Sequence, residues 1–103
     1  MGSYQVTSGY ECKSYVVSNT SVGIDAAGWS WTAGNLALAE RCVITARSAP
    51  IMVRWDGGDP TATLGHYIAA DSTLELTGGL NVNNVHLIRA SGSDSTVSIS
   101  LEK

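Results

Sequence analysis

Ala49-Pro50-Ile51-Met52-Val53-Arg54-Trp55-Asp56-Gly57-Gly58-Asp59-Pro60-Thr61 is the stretch on which the fold turns. Its first half alternates as a strand does, and Pro50, which has no amide hydrogen to donate, suits the beginning or edge of one. From Asp56 the pattern breaks into a tight polar turn, Asp56-Gly57-Gly58-Asp59-Pro60, and the chain restarts as a strand near Gly65-His66-Tyr67-Ile68. Two strands flanking such a turn read as a rigid β-hairpin corner. Arg54 and Asp56, two apart in extended chain, project to one side, so a pair that stiffens the corner is expected. Aspartates around Gly-Gly also raise the question of calcium. The EF-hand spacing with its terminal Glu is absent, however, and Asp in turns commonly accepts hydrogen bonds from its own backbone. Residues 56–60 are therefore read as hairpin geometry, with no metal.

Working outward, the clearest strand is Ser95–Glu102, where Val97, Ile99 and Leu101 share one face and Thr96, Ser98 and Ser100 the other. Val85–Ala90 is another strand, and the turn-forming Ser91-Gly92-Ser93-Asp94 between them predicts an antiparallel hairpin. Arg41–Arg47 and Pro50–Trp55 are expected to pair in the same way. Ser72–Thr77 alternates with Leu74 and Leu76 on one side until Gly78-Gly79 breaks it. Lys13–Ser18 is strand-like, and Val6–Glu11 is a weaker candidate. Leu36–Glu40 is read as a turn or strand lead-in. Residues 19–35, with three glycines and two tryptophans, read as a long contact loop, and residues 1–11 as an arm.

The chain of 103 residues fits one domain, 1–103. Seven to eight short, mostly antiparallel strands with turn signals between them predict an all-β fold, a small β-sandwich or jelly-roll-like barrel. Sheet edges in such a fold must be covered or paired, and homo-oligomerisation is one way to do so. The net charge is −3, and the basic residues Lys13, Arg41, Arg47, Arg54, Arg89 and Lys103 are scattered. Phosphate binding favours a clustered basic face, so nucleic acid is not an expected partner. No run approaches the roughly 20 apolar residues of a spanning helix, and the first residues lack the basic and apolar regions of a secretory signal. Folding in a cytoplasm is the expectation, without a membrane partner.

Cys12 and Cys42 are too far apart for a redox CxxC pair and lack the histidines of a zinc site. They are read as buried free thiols, the alternative being a disulfide closing a loop of about 30 residues. His66 and His86 lack a serine or cysteine nucleophile on a strained turn and an orienting acid. Both are read as structural or surface side chains, and no catalytic or cofactor-binding residue is assigned. Trp29 and Trp31, two apart, would point the same way from extended chain. Either they cap the core in place of the missing Phe, or they form an exposed platform for a protein partner or a sugar ring. Trp55 is read as core or inter-strand packing.

The sequence from 49 to 102 carries a resemblance. Ala-Pro-Ile-x-x-Arg-Trp-Asp-Gly-x-x-Pro-Thr-Ala-Thr-x-Gly-His (49–66), Asn83-Asn84-Val85-His86-Leu87-Ile88-Arg89-Ala90 and the closing Ser93-Asp94-Ser95-Thr96-Val97-Ser98-Ile99-Ser100-Leu101-Glu102 resemble a group of small structural proteins of tailed-phage particles. The resemblance covers about the C-terminal half of the chain. It implies a non-enzymatic virion component, synthesised in the host cytoplasm. Foremost this is a capsid decoration or cement subunit that works as a homo-oligomer, binds the major capsid or another virion protein, and needs no cofactor. The alternative is a tail- or fibre-associated module that contacts a host glycan or receptor through Trp29 and Trp31. On either view the Trp-bearing N-terminal part is the expected contact region.

Overall fold

The computed structural model describes residues 9–26 and 28–103. Eight strands run in chain order: β1 (Gly9–Val17), β2 (Val22–Gly23), β3 (Arg41–Ala46), β4 (Ile51–Arg54), β5 (His66–Ile68), β6 (Ser72–Thr77), β7 (His86–Arg89) and β8 (Ser95–Glu102). One-turn helices precede β3 (α1, Asn35–Leu38) and β7 (α2, Gly79–Asn83). The strands form two four-stranded sheets, ordered β1-β8-β3-β6 and β2-β7-β4-β5, and all pairings are antiparallel. The expected small all-β sandwich is what forms, and its strand order is that of a jelly roll.

That order has a simple logic. β4 pairs with β5, β3 with β6, β2 with β7 and β1 with β8, so each pair encloses the one before it. The chain is one long antiparallel ribbon doubled back at the β4–β5 corner and then folded into two layers. The corner read from sequence is the tip of that ribbon, and among the described residues β4–β5 is its sole hairpin within one sheet. The two other hairpins expected from sequence do not form. β3 leads into β4, and β7 into β8, by crossing from one sheet to the other. The short links at 47–50 and 90–94 suit a crossing as well as a hairpin. An alternating pattern reports that one face is buried, and says nothing about which strand lies alongside.

The core lies between the layers. Val17, Ile44, Ala46, Val97, Ile99 and Leu101 from one sheet meet Ile51, Val53 and Leu87 from the other, all fully buried. Each large aliphatic side chain among them contributes roughly 1.5–3 kcal/mol relative to exposure. The alternation read in β8 holds, with Ser95, Val97, Ile99 and Leu101 inside and Thr96, Ser98 and Ser100 half-buried on the opposite face. On that outer face Ser14, Ser98, Thr45 and Thr73 align in one register row across all four strands. Thr45 and Thr73 share a 3.0 Å hydroxyl hydrogen bond, a favourable cross-strand pair.

Several local readings change. The Leu36–Glu40 lead-in is largely a helical turn, α1, since Leu and Ala favour helix where no neighbouring strand captures them. The loop at 19–35 includes the two-residue strand β2, and α2 was not anticipated. The weaker strand candidate at 6–11 joins β1 from Gly9 onward, and its first residues lie outside the described ones, as does most of the expected arm at 1–11.

Candidate functional site

The two ends of the sandwich are built differently. At one end the links are short: 18–21, 47–50, 69–71 and 90–94. At the other lie the three long connections, 24–40, 55–65 and 78–85. The first and third are hydrogen-bonded to each other, and Gly57 of the second faces Asn84 of the third. The Asn83 side-chain amide donates to the Leu36 carbonyl at 3.1 Å, the Ile24 amide to the Val85 carbonyl at 2.9 Å, and a Cβ on Gly57 would lie 3.9 Å from Asn84 Oδ1. Binding and catalytic residues lie disproportionately on loops held by a rigid scaffold, which makes this end the candidate site.

In connection 55–65 the expected Arg54–Asp56 pair forms, two-pronged. Arg54 Nε donates to Asp56 Oδ1 at 3.0 Å and Nη2 to Oδ2 at 2.7 Å. Nη1 donates to the Asp59 carbonyl at 3.1 Å, and the Gly58 amide to Asp56 Oδ1 at 3.2 Å. The Arg54 hydrogen bond, with that of the Gly58 amide behind it, holds the Asp56 carboxyl at about 2, against an ordinary 3.8. Gly57 sits at φ +87°, a left-handed conformation that favours glycine. Gly58 leaves room for the guanidinium, because a Cβ there would approach Nη2 to 2.5 Å. The Asp59 carboxylate accepts from the Ser21 hydroxyl at 2.9 Å, tying the corner toward β2, and Pro60 is fully buried beneath it. The turn is wider than the tight one expected, since its residues reach across the sheet end to these partners.

Trp55, read as core or inter-strand packing, packs at the edge of the core and between strands. It is half-buried and stacks on exposed His66, centroids 4.5 Å apart and planes 19° from parallel. With Arg54, Asp56, Leu64 and Gly65 the two rings line a cleft of about 340 Å³. The pairing follows from the strand register. Trp55 continues the inward face of Ile51 and Val53, and β4–β5 register puts His66 opposite Val53, so the two rings are neighbours.

Trp29 takes the core-capping alternative. It is 8% exposed and lies flat on Tyr15, centroids 4.3 Å apart and planes 7° from parallel. Trp31 meets the same Tyr15 ring edge-on at 5.6 Å and donates its indole N–H to the Ile24 carbonyl at 2.8 Å. The expected shared direction holds, but the pair caps the core instead of standing as an exposed platform. Glu11 fastens the loop. Its carboxylate accepts from the Thr32 amide at 2.9 Å, the Thr32 hydroxyl at 3.1 Å and the Asn35 side-chain amide at 3.1 Å, with Lys13 at 3.5 Å. The Thr32 amide above all, opposed by burial and helped by Asn35, lowers the Glu11 pKa.

Among the described residues, five large apolar side chains are exposed: Val16, Leu38, Leu64, Tyr67 and Leu80. Three of these are leucines at the loop end, one on each long connection: Leu38 in α1 (66%), Leu64 (52%) and Leu80 in α2 (78%). An exposed leucine has no local signature in a sequence.

The cysteines are unbonded. Cys42 is buried on the inner face of β3, where burial first and nearby Glu102 second push its thiol up to about 12. Cys12 is exposed on the outer face of β1, which corrects the reading of both as buried. His86 is half-buried, its Nδ1 3.1 Å from the Asn84 carbonyl. No group of three or more His, Cys, Asp or Glu able to hold a metal occurs among the described residues, and no helix there is long and apolar enough to cross a membrane. No protein-family model matches this sequence, and no match was found among the curated proteins compared with it.

Proposed function

We propose that this chain is a non-enzymatic structural subunit of a tailed-phage particle, foremost a capsid decoration or cement protein that acts as a homo-oligomer and docks through its loop-bearing end. The observation that carries the docking half is the placing of one exposed leucine on each of the three long connections at one end of the sandwich. Apolar side chains standing clear of a rigid frame are suited to fill pockets of a partner, because removing apolar surface from water favours association. The phage half rests on the sequence resemblance, and eight-stranded jelly rolls do serve in viral shells, an analogy of fold that does not by itself assign function. Many modest contacts repeated over a lattice hold a shell by avidity, so no single strong site is required.

The test is the copy number of this protein in purified particles, by mass spectrometry against the major capsid protein. A decoration subunit is expected at a comparable number, and its absence from the particle sinks the reading. A variant with Leu38, Leu64 and Leu80 all changed to Ser should fold normally, the three being exposed, yet be lost from particles. Full retention of that variant would remove the loop end from the interface.

A further inference from the structure

The cleft beside the Trp55–His66 stack shares only Leu64 with the proposed docking leucines, and its composition is specific. The two rings give it an aromatic wall, Leu64 an apolar edge, and Arg54 with Asp56 a planar pair of hydrogen-bonding groups. Three of Arg54's N–H groups are committed to Asp56 and the Asp59 carbonyl, and a guanidinium has five. Asp56, its side chain 63% exposed, keeps unused acceptor positions on Oδ2. The cleft therefore offers both donors and acceptors, while its cation and anion cancel each other. Neither a phosphate nor an ammonium group finds an uncompensated charge there.

A ligand matched to these features is uncharged, has one apolar face to lay on a ring, and carries hydroxyls at its rim. We propose that the cleft lined by Trp55, His66, Arg54, Asp56, Leu64 and Gly65 binds a neutral sugar ring, with Asp56 accepting from and Arg54 donating to its hydroxyls. The aromatic contact belongs to Trp55 and His66, not to Trp29 and Trp31. The walls are set before the ligand arrives, because the Arg54–Asp56 fork and the Gly58 amide fix the corner, and preorganisation lowers the cost of binding. The volume of about 340 Å³ lies at the small end for ligand sites, which fits one or two rings held weakly and made effective by repetition on an assembly.

The full chain should be titrated with the methyl glycosides of glucose, galactose, N-acetylglucosamine and rhamnose, following backbone amides and tryptophan indoles by NMR. At least one glycoside is expected to shift the Trp55 indole and the amides of 56–58 and 64–66, with a millimolar dissociation constant, leaving Trp29 and Trp31 unmoved. His66→Ala, at an exposed position, should keep the fold and weaken binding by about tenfold, the loss of a stacking contact. Leu38→Ser, outside the cleft, should bind as the parent does. The proposal is overturned if no glycoside moves these signals, if His66→Ala binds equally well, or if AMP or inorganic phosphate binds more tightly than every sugar. The copy number in particles is independent of all these outcomes, so failure here leaves the structural role standing.

Discussion

Tyr15 lies 4.3 Å from Trp29 and Trp55 lies 4.5 Å from His66, each pair nearly parallel, yet the first stack closes the core and the second lines an open cleft. Each is steadied by a carboxylate that collects hydrogen-bond donors from the same part of the chain as its tryptophan. Glu11 gathers Thr32 and Asn35, and Asp56 gathers Arg54 and Gly58. The difference lies in what the loops cross. Tyr15 is an inward side chain in the body of β1, and the 24–34 segment carries Trp29 and Trp31 over it. Trp55 and His66 stand where β4 ends and β5 begins, with the rest of their connection leaning away toward Ser21. Similar fastening thus yields a lid in one place and a wall in the other.

The largest effect expected from this contrast is on stability. Trp29→Ala empties a buried aromatic site and should cost about 3–5 kcal/mol. His66→Ala trims an exposed ring and should stay within about 0.5 kcal/mol. Equilibrium urea unfolding of the two variants measures both. Equal losses would mean that the two stacks are not closed and open in the sense described.

How much of this was written in the sequence depends on the range over which each feature is decided. The ribbon's tip was legible, since Arg54, Asp56, Gly57, Gly58 and Pro60 specify it within a few residues. So was the β8 alternation, because Val97, Ile99 and Leu101 need only a buried face. The crossing links after Ala46 and Arg89 were misread as hairpins because partner choice is settled by strands far along the chain. Between capping and platform for Trp29, and for the ring that Trp55 meets, the local sequence does not decide, for the same reason. Whether Trp29 is covered depends on Tyr15 of β1, and whether Trp55 finds a ring depends on the β4–β5 register. Neither is encoded next to the tryptophan itself.

Acid should loosen both fastenings, and the sign is the same for each. A carboxyl whose pKa is lowered by folding adds stability above its unfolded value, and that contribution fades as pH falls through the folded value. For Asp56 the window runs from 3.8 down to about 2. For Glu11 it opens below 4.5. Side-chain carboxyl signals followed by NMR should show Asp56 titrating near 2 and Glu11 below 4.5, with faster exchange of the Thr32 amide as Glu11 protonates. A midpoint at or above 3.8 for Asp56 would show that the Arg54 fork does not persist in solution.

The smallest effect isolates the corner from everything else. Gly58→Ala places a Cβ 2.5 Å from Arg54 Nη2 and 2.7 Å from Cζ. The clash is with the far end of a flexible side chain, so the guanidinium should swing away while the fold stands. Stability should fall only slightly, because exposed ion pairs contribute little. The Asp56 carboxyl, however, should rise from about 2 toward its ordinary 3.8, and the Glu11 titration should not move. Gly57→Ala makes the complementary change. It strains a backbone at φ +87°, at a cost of about 1 kcal/mol, without reaching the guanidinium. If Gly58→Ala left Asp56 titrating near 2, the fork would be dispensable, and the cleft wall would owe its position to the Trp55–His66 stack alone.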